Sequence, residues 1–131
     1  MYRIKKMDYG YHLTFGGFMK EKEMKQWFEE SKKVLADQEG EFVVFVDMRT
    51  LKPLPVEAQA AMTNGQRFYR QSGMQRSVVI LNNPITTMQF KRIAKESGIY
   101  EWERYIDAST ETNWEKVGLD WVLREIDPDK K

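Results

Sequence analysis

The chain has 131 residues, a length that suits one domain. Lys and Arg number 21 against 20 Asp and Glu, and this near-neutral balance argues against a general nucleic-acid binder, which needs surplus cations to displace counterions from phosphates. The absence of Cys, with His12 as the single histidine, excludes a disulfide framework, a thiolate or His-cluster metal site and a cysteine nucleophile.

A hydrophobic fraction of 41% and an aromatic fraction of 13% are enough to fill a core. The chain has no apolar run of about 18 residues, and its start, MYRIKKMDYG, lacks the apolar stretch of a signal peptide. The expectation is a cytoplasmic protein that is not an integral membrane protein. No Pro/Gly/Ser-rich linker interrupts the sequence, so residues 1–126 read as one domain. The segment from Asp127 to Lys131 reads as a frayed, flexible tail.

Tyr2 and Ile4 alternate with Arg3 and Lys5 up to Met7, the period of a strand with one wet face. A turn at Asp8-Tyr9-Gly10 leads to a second alternation, Tyr11, Leu13 and Phe15 against His12 and Thr14, which Gly16-Gly17 ends. From Lys20 to Asp37, Met24, Trp27, Phe28, Val34 and Leu35 fall on one helical face. Acidic residues open this helix and Lys32 and Lys33 close it, as the helix dipole prefers. The apolar run Phe42–Val46 predicts a strand covered on both faces.

Pro55 suits the first turn of a second helix, with Val56, Ala60, Met62 and Phe68 on its inner side and Gly73 just past its end. Ser77–Leu81 predicts another buried strand. Asn83-Pro84 gives an N-cap and first-turn pair for a third helix that Gly98 ends. Arg104–Asp107 predicts a short strand, and Thr112 with Glu115 matches a capping box before a last helix bearing Trp114, Val117, Trp121 and Val122. The order is β-β-α-β-α-β-α-β-α. Buried strands alternating with helices imply parallel pairing, so the fold class is α/β, a mixed and mostly parallel sheet with helices packed on it.

This order, together with FVVFVDMRTLKPLPVEA and the later SVVIL, resembles the SpoIIAA-like family of the STAS superfamily, whose bacterial members are described as STAS/SEC14-like. The resemblance runs from Tyr2 to about Ile126. It rests most on Val46-Asp47-Met48-Arg49 with the Pro-containing loop behind it, and on Asp107 followed by Trp114. It implies a non-enzymatic module working through protein contacts, or a carrier of a small apolar ligand. Antagonists of the phospho-switch type in that superfamily carry Asp-Ser where the second helix begins. Here the matching stretch, Leu54-Pro55-Val56-Glu57-Ala58, has no hydroxyl, and Thr50 is the nearest one. A serine-phosphorylation switch is therefore not expected.

Ligands of open α/β sheets bind outside the carboxyl ends of the parallel strands. Three segments converge there: Asp47, Arg49 and Thr50, then Asn82, Asn83 and Thr86, then Asp107. They could build a polar pocket with Arg49 as an anion anchor, or serve only as caps and loop ties. The resemblance adds Glu57, at the start of the second helix, to a docking surface running from Arg49. Asp47 and Asp107 would form an acid–base pair only if close together. No phosphate-binding glycine loop or nucleophile elbow occurs. No catalytic residue, metal site or cofactor is expected.

Arg67, Arg70, Arg76, Lys91, Arg92 and Lys95 read as a basic patch or as the solvated faces of the second and third helices. Tyr100 and Trp102, set among charged residues, suggest an interface or a cover for one end of the core. The expected partner is a protein or a small apolar ligand, with a homodimer as a further expectation.

Overall fold

The computed structural model describes residues 1–130 and contains one five-stranded sheet with four α-helices. Strands β1 (Tyr2–Met7) and β2 (Gly10–Gly17) form the antiparallel pair that the alternation predicts. Helix α1 (Glu21–Leu35) then crosses to β3 (Phe42–Leu51), α2 (Val56–Gln71) to β4 (Met74–Leu81), and α3 (Pro84–Ser97) to β5 (Glu103–Asp107). A 3-10 turn at Tyr100–Trp102 precedes β5, and α4 (Trp114–Arg124) ends the fold.

The strands lie in chain order, and β2 to β5 are parallel. When every crossover of the same hand advances in one direction, its helices fall on one face of the sheet. Accordingly, α1, α2 and α3 share one core with Leu13, Phe15, Val44, Val46 and Val79. The other face would be bare without α4, whose Trp121 and Val122 cover Val43, Phe45, Val78, Ile80 and Ile106. Adjacent residues of β3 thus serve opposite cores, which is why its sequence is a continuous apolar run.

Local signals set most boundaries. The Asn83 side chain accepts hydrogen bonds from Ile85 N and Thr86 N, and Gly98 ends α3 at φ 89°. Gly73 follows α2 at φ 120° and stands so close to the Gly40 carbonyl that a side chain would strike it.

Two sequence expectations are corrected here. The inner face of α2 is Ala58, Ala61, Met62, Gly65, Gln66 and Tyr69, whereas Val56 and Ala60 face solvent and Phe68 is only half-buried. Small residues face inward because Trp27 of α1 lies directly against Gly65. Gln66 is tolerated inside because its Oε1 accepts from Ser97 Oγ at 2.7 Å. The Thr112–Glu115 capping box does not form. Helix α4 starts at Trp114, and the Glu111 carboxylate instead accepts from Asn113 N at 3.0 Å.

The segment expected to fray begins on an anchored residue. The Arg104 guanidinium makes two bonds to the Asp127 carboxylate, at 2.9 and 3.0 Å, while lying over the Trp121 ring. Lys131, the last residue of that segment, lies outside the described residues. Among the described residues no helix is long and apolar enough to cross a membrane.

Candidate functional site

The carboxyl ends of β3, β4 and β5 and the N-termini of α2 and α3 meet at one end of the molecule, where Asp47, Arg49, Asn83, Thr86 and Asp107 are bound to one another or to nearby groups of the chain. Asp47 Oδ1 accepts from Arg49 N and Nε, and Oδ2 accepts from Arg49 Nη2, each at 3.0 Å. The Arg49 guanidinium also lies 4.1 Å above the centre of the Trp114 ring. Burial pushes the Asp47 carboxyl upward, but the Arg49 bonds and charge outweigh it and hold the group below the usual range. His12, half-buried and stacked on Phe45 with ring centres 5.2 Å apart, adds a smaller effect in the same direction.

Asp47 and Asp107 do not form a pair. Asp47 registers with Ile80, which faces α4, whereas Asp107 registers with Leu81, which faces α1–α3. They stand on opposite faces, two strand spacings or about 10 Å apart. Asp107 Oδ1 instead accepts from Ser109 N and Oγ, at 2.9 and 2.6 Å, and these bonds lower its pKa.

Thr50 belongs to β3 and is exposed beside Gly16. Buried Thr86 donates to the Leu51 carbonyl at 3.3 Å. Asn83 is occupied as the N-cap of α3. Asn82 and Glu57 remain exposed.

Sequence reading missed the residue that organises this end. Gln89 of α3 accepts from Leu54 N at 2.7 Å and donates to Leu54 O at 3.1 Å, meeting both backbone groups of a loop residue with one amide. Gln59 Nε2 donates to the same carbonyl, and Arg92 donates to Gln59 Oε1. Three side chains thereby fix the loop from Lys52 to Pro55. A glutamine on a helix is an ordinary surface residue in sequence, so no local signal marks it.

Exposed apolar side chains flank this clamp. Val56 is 77% exposed, Met88 71% and Ile85 60%, at the first residue of α2 and within the first five residues of α3. Phe18, 57% exposed, follows β2 at the same end of the sheet. Of the basic residues, Arg70 bonds Met74 O, and Arg67 bonds Glu96 O. Arg76, which lies on β4 rather than on a helix, bonds Val122 O and Glu125.

Tyr100 and Trp102 are 39% and 42% exposed beside β5. Lys95 lies over the Tyr100 ring, 4.7 Å from its centre. The space between the sheet and α1–α2 is about 30 Å³ and lined mainly by apolar groups such as Leu13, Trp27, Val46 and Met62. That is room for about two water molecules. Among the described residues no group of three or more His, Asp or Glu is placed to hold a metal.

No family model, curated protein or solved structure matches the chain.

Proposed function

We propose that this chain is a non-enzymatic interaction module, STAS-like in kind and without the phospho-acceptor serine, that docks a protein partner at the N-termini of α2 and α3. The observation that supports this reading most is the exposure of Val56, Ile85 and Met88 on either side of the Gln89–Leu54 clamp. Apolar side chains held in water on rigid turns are costly unless something covers them. The clamp fixes the loop so that little ordering entropy is lost on docking. The polar groups expected to bind a small ligand support it from the other direction. Asp47, Arg49, Asn83, Thr86 and Asp107 already bond within the chain, which suits a scaffold more than a substrate pocket.

A photo-crosslinking residue at Val56 tests the proposal, with one at Lys116 on the exposed face of α4 as the control. The expected result is a discrete adduct from position 56 that Met88→Glu abolishes and that position 116 does not give. Adducts that do not depend on position, or none at 56, would refute it. Light scattering of the free chain distinguishes a second copy from a different protein as the partner.

A further inference from the structure

The carboxyl of Glu103 is buried in the core and faces no cation. The residue is 4% exposed and lies at the start of edge strand β5. Ser77 Oγ of β4 donates to its Oε1 at 2.7 Å. On its other side, Tyr105 Oη lies 2.6 Å from Oε2 and 3.4 Å from the carbonyl of Phe90 in α3. Ser77 is tied in turn to α4, because Trp121 Nε1 donates to its carbonyl at 2.9 Å. The carboxyl therefore joins β5 to β4 directly and to α3 through the Tyr105 hydroxyl.

The charged groups around it are engaged elsewhere. On α3, Lys91 lies over the Tyr105 ring and Lys95 over Tyr100. Arg104 of β5 is held by Asp127, approaches Asp129 at 3.6 Å and donates from Nη1 to the main-chain carbonyl of Glu103 at 3.0 Å, forming no ion pair with the carboxyl. Glu101 of the 3-10 turn, Lys91, Arg104 and Asp129 line an outer cleft that Glu103 and Tyr105 also border. From α2, uncharged Gln66 and Tyr69 line the cavity beside Glu103, and burial keeps the Tyr69 hydroxyl protonated.

Tyr105 has one hydroxyl proton and two acceptors. If Glu103 is protonated, its own O–H can donate to Tyr105 Oη, and the Tyr105 proton is free to reach the Phe90 carbonyl. If Glu103 is ionised, Tyr105 must donate to the carboxylate, and the bond to α3 is given up. The charge is then left against a cavity that is mostly apolar.

We propose that Glu103 is a proton-operated latch that fastens β5 and the preceding Tyr100–Trp102 turn when protonated and loosens them when ionised. The latch works in the neutral range, since burial raises the Glu103 pKa from 4.5 to about 7, against the opposing effect of the Tyr105 and Ser77 bonds. In an opened β5 the carboxyl regains water and its ordinary pKa. The closed state therefore binds more protons between these two values, and opening becomes easier as pH rises. The equilibrium for opening should climb tenfold per pH unit from about 4.5 to about 7 and then level, roughly 300-fold in all.

Two measurements test this: ¹³C NMR titration of the Glu103 carboxyl, and amide hydrogen exchange of β5 corrected for intrinsic pH dependence. The expected result is a midpoint near 7 and a rise in β5 opening over that range, absent in Glu103→Gln. A midpoint at the ordinary value, pH-independent opening, or the same slope in Glu103→Gln would overturn it. If Glu103→Gln does not fold, Tyr105→Phe serves. Removing a donor that favours the charged form should move the midpoint further up, and an unmoved midpoint counts against the latch.

Discussion

The side-chain amide of Gln89 pairs with the backbone of Leu54 as a neighbouring strand would, accepting from its N–H and donating to its C=O. This contact holds the β3–α2 loop against α3 across 35 residues of sequence. It sets where Val56 and the start of α2 stand.

Gln89→Ala leaves the partly buried N–H of Leu54 without its acceptor. A loss of about 1–2 kcal/mol in unfolding free energy is expected, the usual cost of orphaning such a group. Urea denaturation measures the loss. Hydrogen exchange should show faster opening of the Leu54 amide. Gln89→Glu keeps the acceptor but sets a carboxylate oxygen against the Leu54 carbonyl, so it should restore only part of the stability.

Gly65→Ala sets two effects against each other. Alanine favours the helix by about 1 kcal/mol relative to glycine. Its Cβ, however, would overlap Cζ3 and Cη2 of Trp27, a ring only 2% exposed and stacked on Tyr69. Overpacking a tight core costs about 1–3 kcal/mol, so the variant should be less stable despite its better propensity. In a Trp27→Phe background the same substitution should cost less, and a double-mutant cycle in urea reads the coupling.

Arg49→Ala removes the bonds and charge that do most to hold the Asp47 pKa down and leaves burial, the largest effect and an upward one, against only the smaller downward effect of His12. In the native chain the lowered carboxyl contributes stability above its unfolded value near 4, and that contribution is lost as pH falls through the folded value. In the variant the carboxyl should titrate above the ordinary range, and the sign reverses, with stability lost as pH rises. ¹³C titration of Asp47 and denaturation between pH 3 and 7 check both parts.

The elements were legible where the sequence carries a local cause. Asn83-Pro84 and Gly98 mark the ends of α3 because capping geometry involves adjacent residues. The two apolar runs became β3 and β4 because a strand covered on both faces needs no polar side. The inner face of α2 was misread because Val56, apolar and near the helix start, suggested the wrong phase. The side chains that pack inward are small, and Trp27 of another element dictates their size.

Glu103 lay hidden for a related reason. In Glu103–Asp107 polar residues occupy both alternating positions, which reads as a surface strand, yet Glu103 is buried beside Ser77, Gln66 and Ile99.

By itself the sequence determined the class, an α/β sheet in a fixed order of elements, because periodicity, caps and turns act within a few residues of their cause. Only the tertiary structure decided which polar groups are already bonded and which apolar ones stand in water. It separated Asp47 from Asp107 by strand register, joined Gln89 to Leu54 and placed Glu103 beside Tyr105. Those relations depend on which distant segments come within about 3 Å of each other, and hydrogen bonding at that range leaves no local trace in the chain.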